Sequence, residues 1–402
     1  MKTFDVVIVG AGIVGLATAW QLLRRRPGLR LCIIEKEQAV AQHQSSNNSG
    51  VIHSGIYYKP GSQKALNCLR GYRYMLDFCQ EQDIPFDICG KVIVATDHKE
   101  LPQLEAIFRR GQENGLEGLR NISPEEVAET EPYVQSVAAI HVPQTGIVSY
   151  GTVAQKLYDL CVAQGMTALM GEKVTDIRDR ENEVLVLTER SEVLAKQVVT
   201  CGGLYADKLA NMTLPGNTIQ ILPFRGEYYD LIPSRQHLVS HLVYPVPNPD
   251  FPFLGVHFTR MIEGGVEAGP NAVLAFQREG YSLWDINLQE MIEAVQFSGF
   301  RKIVGKYWKE AADELYRSAS KAAFVKSLQK LIPAVRAEDL VKGRSGVRAM
   351  ACDPDGNLID DFLFLSSERT LHVVNAPSPA ATASLSIGET IAEKLLEKET
   401  FA

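Results

Sequence analysis

Gly10, Gly12 and Gly15 stand in GxGxxG spacing between a short apolar run, Asp5 to Val9, and an apolar helical stretch, Leu16 to Leu23. That arrangement suits the binding of a pyrophosphate. The first glycine permits a sharp turn, the second lets backbone approach the phosphates, and the third lets the helix press on the strand. The helix start adds N–H groups and the positive end of its dipole. Leu31 to Ile34 reads as the next strand, and Glu35 closes it 20 residues after Gly15. A carboxylate there accepts hydrogen bonds from ribose hydroxyls and repels a 2′-phosphate, which favours an unphosphorylated adenine dinucleotide. Lys36, beside it, is counted with that contact. The motif leaves FAD and NAD both open, and its place within the first ten residues is an arrangement frequent in FAD enzymes.

The elements that position these residues follow from pattern. A chain of 402 residues suggests two domains. With 46% hydrophobic and 22% charged residues it can bury an ordinary core. A net charge of −7 gives no reason to expect nucleic acid as a partner. Seven cysteines lie scattered with no CxxC pair, so reduced thiols are expected and neither a disulfide framework nor a metal site is indicated. The first residues lead straight into the nucleotide strand, and no apolar run reaches the length of a membrane span. The expected location is the cytoplasmic side, either free or at the surface of the inner membrane.

After the opening unit, Gln42 to Gly50 is a polar loop in which Ser45, Ser46, Asn47 and Asn48 offer hydroxyls and amides to phosphates or a flavin edge. Residues 64–82 have helical spacing. From Phe86 to Ser149 the βα alternation gives way to an α+β pattern, read as an inserted domain. A helix at 152–164 and strands up to Thr200 lead into Gly202 and Gly203, a second βα turn that marks the return of the nucleotide domain. Residues 218–280 alternate as antiparallel strands. Residues 288–331 read as helical, with Phe300, Ile303, Val304, Tyr307, Trp308, Ala311, Ala312 and Leu315 on a core-packing face. Between 300 and 330 there are eight basic residues against three acids. Two readings stand: a solvated face of core-packing helices, or contact with anionic lipid. A last strand, Leu371 to Val374, then a small-residue turn and a helix close the chain.

With these pieces placed, the chain resembles the glutathione-reductase-type FAD proteins of the D-amino-acid oxidase superfamily. The strings NNSGVIHSGIYYKPGSQKALNCLRG, LPFRGEYYDL, FLGVHFTRMIEGGVEAGPNAVLAF, GRSGVRAM and VVNAPSPAATASLSIGETIAE resemble the L-2-hydroxyglutarate dehydrogenase or oxidase family. The resemblance implies an α/β plus α+β fold in which a Rossmann-type FAD-binding domain (1–85, 150–212 and 340–402) interleaves with an antiparallel-sheet substrate domain (86–149 and 213–339). It implies oxidation of L-2-hydroxyglutarate to 2-oxoglutarate by hydride transfer to flavin N5, with electrons passing to quinone or oxygen. By the same resemblance Gly10, Gly12, Gly15 and Glu35 hold ADP, Ser45 to Ser49 flank the flavin, and Val174 contacts adenine through its backbone. Gly202 and Gly203 form the second turn, and Ala380, Ala381 and Thr382 the terminal elbow near the ring. Arg348 matches an arginine that clamps a substrate carboxylate.

A dicarboxylic 2-hydroxy acid needs cationic anchors and a base for the hydroxyl proton. Arg348 is the expected first anchor, with Arg260 and Arg225 competing for the second. His53 and His257 are the candidate bases, since the histidine pKa lies near working pH; His53 is also a candidate for attachment or hydrogen bonding to the flavin. Alternatives in other classes are a related FAD oxidoreductase acting on an amino acid, an amine or glycerol 3-phosphate, and a non-catalytic flavin-binding subunit.

Overall fold

The computed structural model describes residues 2–248 and 255–397. Phe253 and Leu254 of the FLGVHFTR string therefore lie outside the described residues.

The strand Lys2–Val9 is the centre of the first sheet. It runs parallel to Leu31–Glu35 on one side and to Glu192–Thr200 on the other. Thr167–Met170 extends the sheet beyond Leu31–Glu35, and Thr370–Asn375 lies parallel to the far end of Glu192–Thr200. Val6, Val7 and Ile8 are fully buried. A strand covered on both faces has no use for alternation, which is why this one reads as a continuous apolar run.

Two helices, Ile13–Arg25 and Ser384–Leu396, pack on each other against the sheet. Their backbones meet at Gly388, where an added Cβ would lie 2.6 Å from the carbonyl carbon of Ala17. The long helix Gln63–Glu81 meets the terminal elbow through Gly71, whose added Cβ would stand 2.5 Å from Ala383 Cα. Small residues thus let the chain's last turn press into the nucleotide domain.

The second sheet has nine strands and is mostly antiparallel. Lys91–Ala95 lies parallel to Leu242–Pro245, which pairs with His257–Arg260. Gln220–Leu231 pairs along its length with Leu340–Cys352. That pairing moves one expected boundary. The second sheet continues to Cys352, and the nucleotide sheet resumes only at Leu363–Ser366 and Thr370–Asn375. The GRSGVRAM string, expected in the nucleotide domain, belongs to a strand of the second sheet.

The helical region expected over 288–331 is three helices, Leu288–Gln296, Ser298–Ala319 and Lys321–Leu328. Asn287 and Ser320 cap the first and third by accepting backbone N–H groups. The expected core-packing face is only partly realised. Ile303 is buried, whereas Val304, Trp308 and Leu315 are exposed.

Candidate active site

A cavity of about 820 Å³ runs between the two sheets, from the Gly10–Gly15 turn to a far end walled by His53, Tyr57, Tyr228, Tyr244, His257 and Arg348.

The first end is made largely of backbone. Gly10 has φ +105°, and a Cβ on it would meet the Cys201 carbonyl oxygen at 2.4 Å. A Cβ on Gly15 would lie 2.1 Å from the Gly10 oxygen. Both substitutions are sterically forbidden, so the first and third glycines are explained by contact rather than by spacing alone. Gly12 faces Ser45, whose hydroxyl accepts the Ile13 N–H at 2.9 Å. The Glu35 carboxylate accepts the N–H groups of Ala11 at 2.7 Å and Glu37 at 3.0 Å, and it lines the cavity. Gly202, Gly203, Val174 and Ala381 line it as well. A glycine turn without side chains, a helix N-terminus and a fixed carboxylate fit the pyrophosphate and ribose of FAD.

Other expected contacts are placed differently. Lys36 lines the cavity, but its ammonium pairs with Glu37 and Glu279 and touches His43 Nε2 at 2.9 Å. Asn48 lines the cavity, but its side chain staples its own loop, donating to Gln44 and Ser45 carbonyls and accepting the Gly50 N–H. Ser46 does not line the cavity; its carbonyl accepts from Arg344. Thr382 is buried behind the wall, where its hydroxyl accepts the His53 N–H at 3.1 Å and lies 2.6 Å from the Tyr150 hydroxyl. It holds the residue at the wall rather than facing the cavity itself.

The second end is made of side chains. His53 faces the cavity with its Nε2 3.5 Å from the Ser378 hydroxyl. Burial, with Lys91, His257 and Arg348 nearby, pushes its pKa down to about 3. His257 is buried, with its ring centroid 3.9 Å from that of Tyr244 and its Nδ1 3.0 Å from the Gly255 carbonyl. A carbonyl only accepts, so Nδ1 carries the proton and the neutral ring keeps a lone pair on Nε2. Burial likewise lowers this pKa to about 3, the Gly255 bond opposing it and Arg348 and Lys91 adding to it. Both histidines are therefore neutral at working pH. The Arg348 guanidinium lies against the Tyr228 hydroxyl and pairs with no carboxylate among the described residues.

The two expected second anchors are elsewhere. Arg225 is fully buried, donates to the Ser282 carbonyl at 2.6 Å and pairs with Glu227 at 3.3 Å. Arg260 donates to the Ser240 carbonyl and approaches Asp87 at 3.6 Å. Neither lines the cavity. Their strands present them on the wrong side, which no local pattern reveals. Sequence reasoning also passed over Lys91, Arg110, Tyr228 and Tyr244. Lys91 begins an otherwise apolar strand, KVIVA, and that lone charge in a buried run was its only signal.

A profile described as FAD dependent oxidoreductase matches residues 5–394. The chain is 50% identical over 396 residues to a protein of Indibacter alkaliphilus named L-2-hydroxyglutarate dehydrogenase, covering 98% of this chain and 99% of that one. It is 42% identical to the mitochondrial L-2-hydroxyglutarate dehydrogenase of Bos taurus, covering 99% and 89%. Among solved structures, dithionite-reduced L-alpha-glycerophosphate oxidase from Mycoplasma pneumoniae with FAD bound matches at a TM-score of 0.81 and 23% identity, over 99% and 95% of the chains. Glycine oxidase from Geobacillus kaustophilus matches at 0.74 and 18%, over 99% and 96%. At such identities these structures speak for the fold alone.

Proposed function

The chain belongs to the FAD-dependent oxidoreductase family, and on that footing we propose that it oxidises L-2-hydroxyglutarate to 2-oxoglutarate with FAD as its cofactor. The observation that carries the chemistry is the far end of the cavity, where an unpaired guanidinium and two neutral imidazoles share one chamber. Similarity to the L-2-hydroxyglutarate dehydrogenases names the acid.

Gly10, Gly12, Gly15, Glu35 and Ser45 hold the cofactor's adenylate and pyrophosphate side. Bound FAD supplies the acceptor for the hydride that leaves carbon 2. The chain's own residues handle charge and the remaining proton. Arg348 offers a fork of donors to the carboxylate next to the reacting carbon. His257 Nε2 takes the hydroxyl proton, so that one hydride and one proton leave the alcohol and a ketone remains. Burial, with the positive field of Arg348 and Lys91 adding to it, keeps that nitrogen unprotonated before substrate arrives. An anionic substrate offsets the field and raises the proton affinity of His257 when it is needed. His53, held through its backbone by Thr382, lines the same wall and orients the substrate.

Mixing the yellow protein anaerobically with L-2-hydroxyglutarate should bleach the flavin absorbance and release 2-oxoglutarate. Bleaching by an amino acid, an amine or glycerol 3-phosphate instead would transfer the assignment to that substrate. Absence of any bleaching would leave a flavin-binding subunit.

The proposal extends to the electron acceptor, a quinone reached at an anionic membrane surface on the cytoplasmic side. No helix among the described residues is long and apolar enough to cross a membrane. The support is one stretch of the chain. Trp284 is 87% exposed and Leu288 71%, with Ile286, Ile292, Val295, Trp308 and Tyr316 also exposed. They lie on or beside the helices that carry the basic excess of residues 300–330. Apolar side chains flanked by lysines and arginines suit the headgroup region of a bilayer. Vesicles of anionic lipid should retain the protein at low salt and release it at high salt. Failure to bind would favour oxygen as the acceptor.

A further inference from the structure

Lys91 is 1% exposed, among the largest fully buried side chains of the protein. Its ammonium makes no hydrogen bond or ion pair among the described residues. What surrounds it is aromatic: the Tyr57 ring centroid lies 4.5 Å away and that of Tyr244 5.0 Å. Cation–π contact offsets part of the cost of burying an ammonium, but an unpaired charge away from water remains unfavourable. Burial accordingly pushes its pKa down to about 7. Beside it, the Tyr57 hydroxyl is buried and also lacks a partner. Two donors without an acceptor thus meet just behind one aromatic wall: Lys91 does not itself line the cavity, while the Tyr57 and Tyr244 rings that cover it do, at the end that holds His53, His257 and Arg348.

A protein that keeps a buried ammonium and a buried hydroxyl unpaired gains by binding something that accepts from both. The matching group is a carboxylate. Of the other cations near this end, Lys64 already pairs with Asp360 at 2.6 Å, and Arg110 donates to the Tyr57 carbonyl at 2.7 Å.

We propose that Lys91 and the Tyr57 hydroxyl form the subsite for the second carboxylate of the substrate, while Arg348 takes the first. This rests on the proposed substrate being a 2-hydroxy dicarboxylate. It makes Lys91 the residue that decides chain-end chemistry. A substrate ending in a methyl group returns both donors to their unpaired state, and the site rejects it for that reason.

The test compares L-2-hydroxyglutarate with L-2-hydroxyvalerate, whose five-carbon chain ends in a methyl group. Steady-state kinetics are measured on the wild type, Lys91→Gln, Lys91→Arg, Tyr57→Phe and Arg110→Gln. Loss of a charge-assisted contact predicts that Lys91→Gln raises KM for the dicarboxylate about 10- to 100-fold with kcat changed only a few-fold. Any change that passes through His257 is common to both substrates, whereas only the dicarboxylate loses a carboxylate contact, so the selectivity ratio collapses by about that factor. Lys91→Arg restores part of the ratio, and Tyr57→Phe loses a smaller part. A merely structural lysine would slow both substrates alike and leave the ratio intact, which would overturn the proposal. Collapse of the ratio in Arg110→Gln but not in Lys91→Gln would overturn it too. Should Lys91→Gln lose its flavin, Lys91→Met, which fills the same space without a charge, gives the same comparison. If L-2-hydroxyglutarate fails to bleach even the wild type, the proposed function itself falls, a result distinct from a Lys91 variant that bleaches but no longer discriminates.

Discussion

The two ends of the cavity are built by different means. At the nucleotide end the working groups are backbone: Gly10 against the Cys201 carbonyl, Gly15 against Gly10, and amides of Ala11 and Glu37 holding Glu35. At the far end they are side chains, His53 from a loop, Tyr244 and His257 from paired strands of one sheet, and Arg348 from a strand late in the chain, with Lys91 behind Tyr57 and Tyr244. Backbone geometry is specified over a few residues. Side-chain convergence depends on how a nine-stranded sheet is registered.

That contrast predicts two separable kinds of failure. The largest effect belongs to Gly10→Ala, which forces a left-handed backbone on a residue with a Cβ and drives that Cβ into the Cys201 carbonyl. The purified protein should be colourless and inactive, with flavin content as the measurement. A yellow, active Gly10→Ala protein would break the contrast at its strongest point.

His257→Gln should do the opposite, retaining flavin while slowing its reduction by about 10² to 10⁴-fold, the usual contribution of a general base. Rapid-mixing absorbance under anaerobic conditions reads it. A greater loss in His53→Gln than in His257→Gln would exchange the roles of the two histidines.

Arg348→Met should keep the flavin and lower kcat/KM for L-2-hydroxyglutarate by on the order of 10²-fold, chiefly through KM, as loss of a charged hydrogen bond implies. Arg260→Gln should change it less than about two-fold, as expected of a surface contact that touches neither end.

The smallest effect concerns acid stability on the nucleotide side. His372 is buried between the hydroxyls of Thr200, 2.9 Å away, and Thr213, 2.7 Å away. Burial lowers its pKa to about 4 from 6.5, with Asp179 opposing the shift. Between those values the unfolded chain binds the proton and the native protein does not, so stability is full above pH 6.5 and falls as pH drops toward 4. His372→Gln should flatten the fall in Tm over that interval by calorimetry. An unchanged slope would show that this histidine does not titrate on unfolding.

The basic helices show where local pattern misleads. Apolar residues at helical spacing from Phe300 to Leu315 read as a core face, yet Val304, Trp308 and Leu315 stand in solvent. Periodicity reports that a helix has an apolar side; only packing decides whether that side meets the protein or something else.

The residues themselves determined the dinucleotide turn, because a phosphate-binding glycine motif is a matter of backbone contacts within a few residues and of one carboxylate at the end of the next strand. They also determined the family, and with it FAD. Tertiary structure alone decided which of the candidate arginines reaches the cavity. Arg348, Arg260 and Arg225 are all strand arginines, and a strand sends alternate side chains to opposite faces. Pairing with Gln220–Leu231 carries Arg348 to the cavity, while Arg225 is committed to Glu227 and Ser282 and Arg260 lies by Asp87. Lys91, in the sequence no more than a lone charge in an apolar run, becomes a buried donor beside two tyrosines because its strand lies against the one that carries Tyr244.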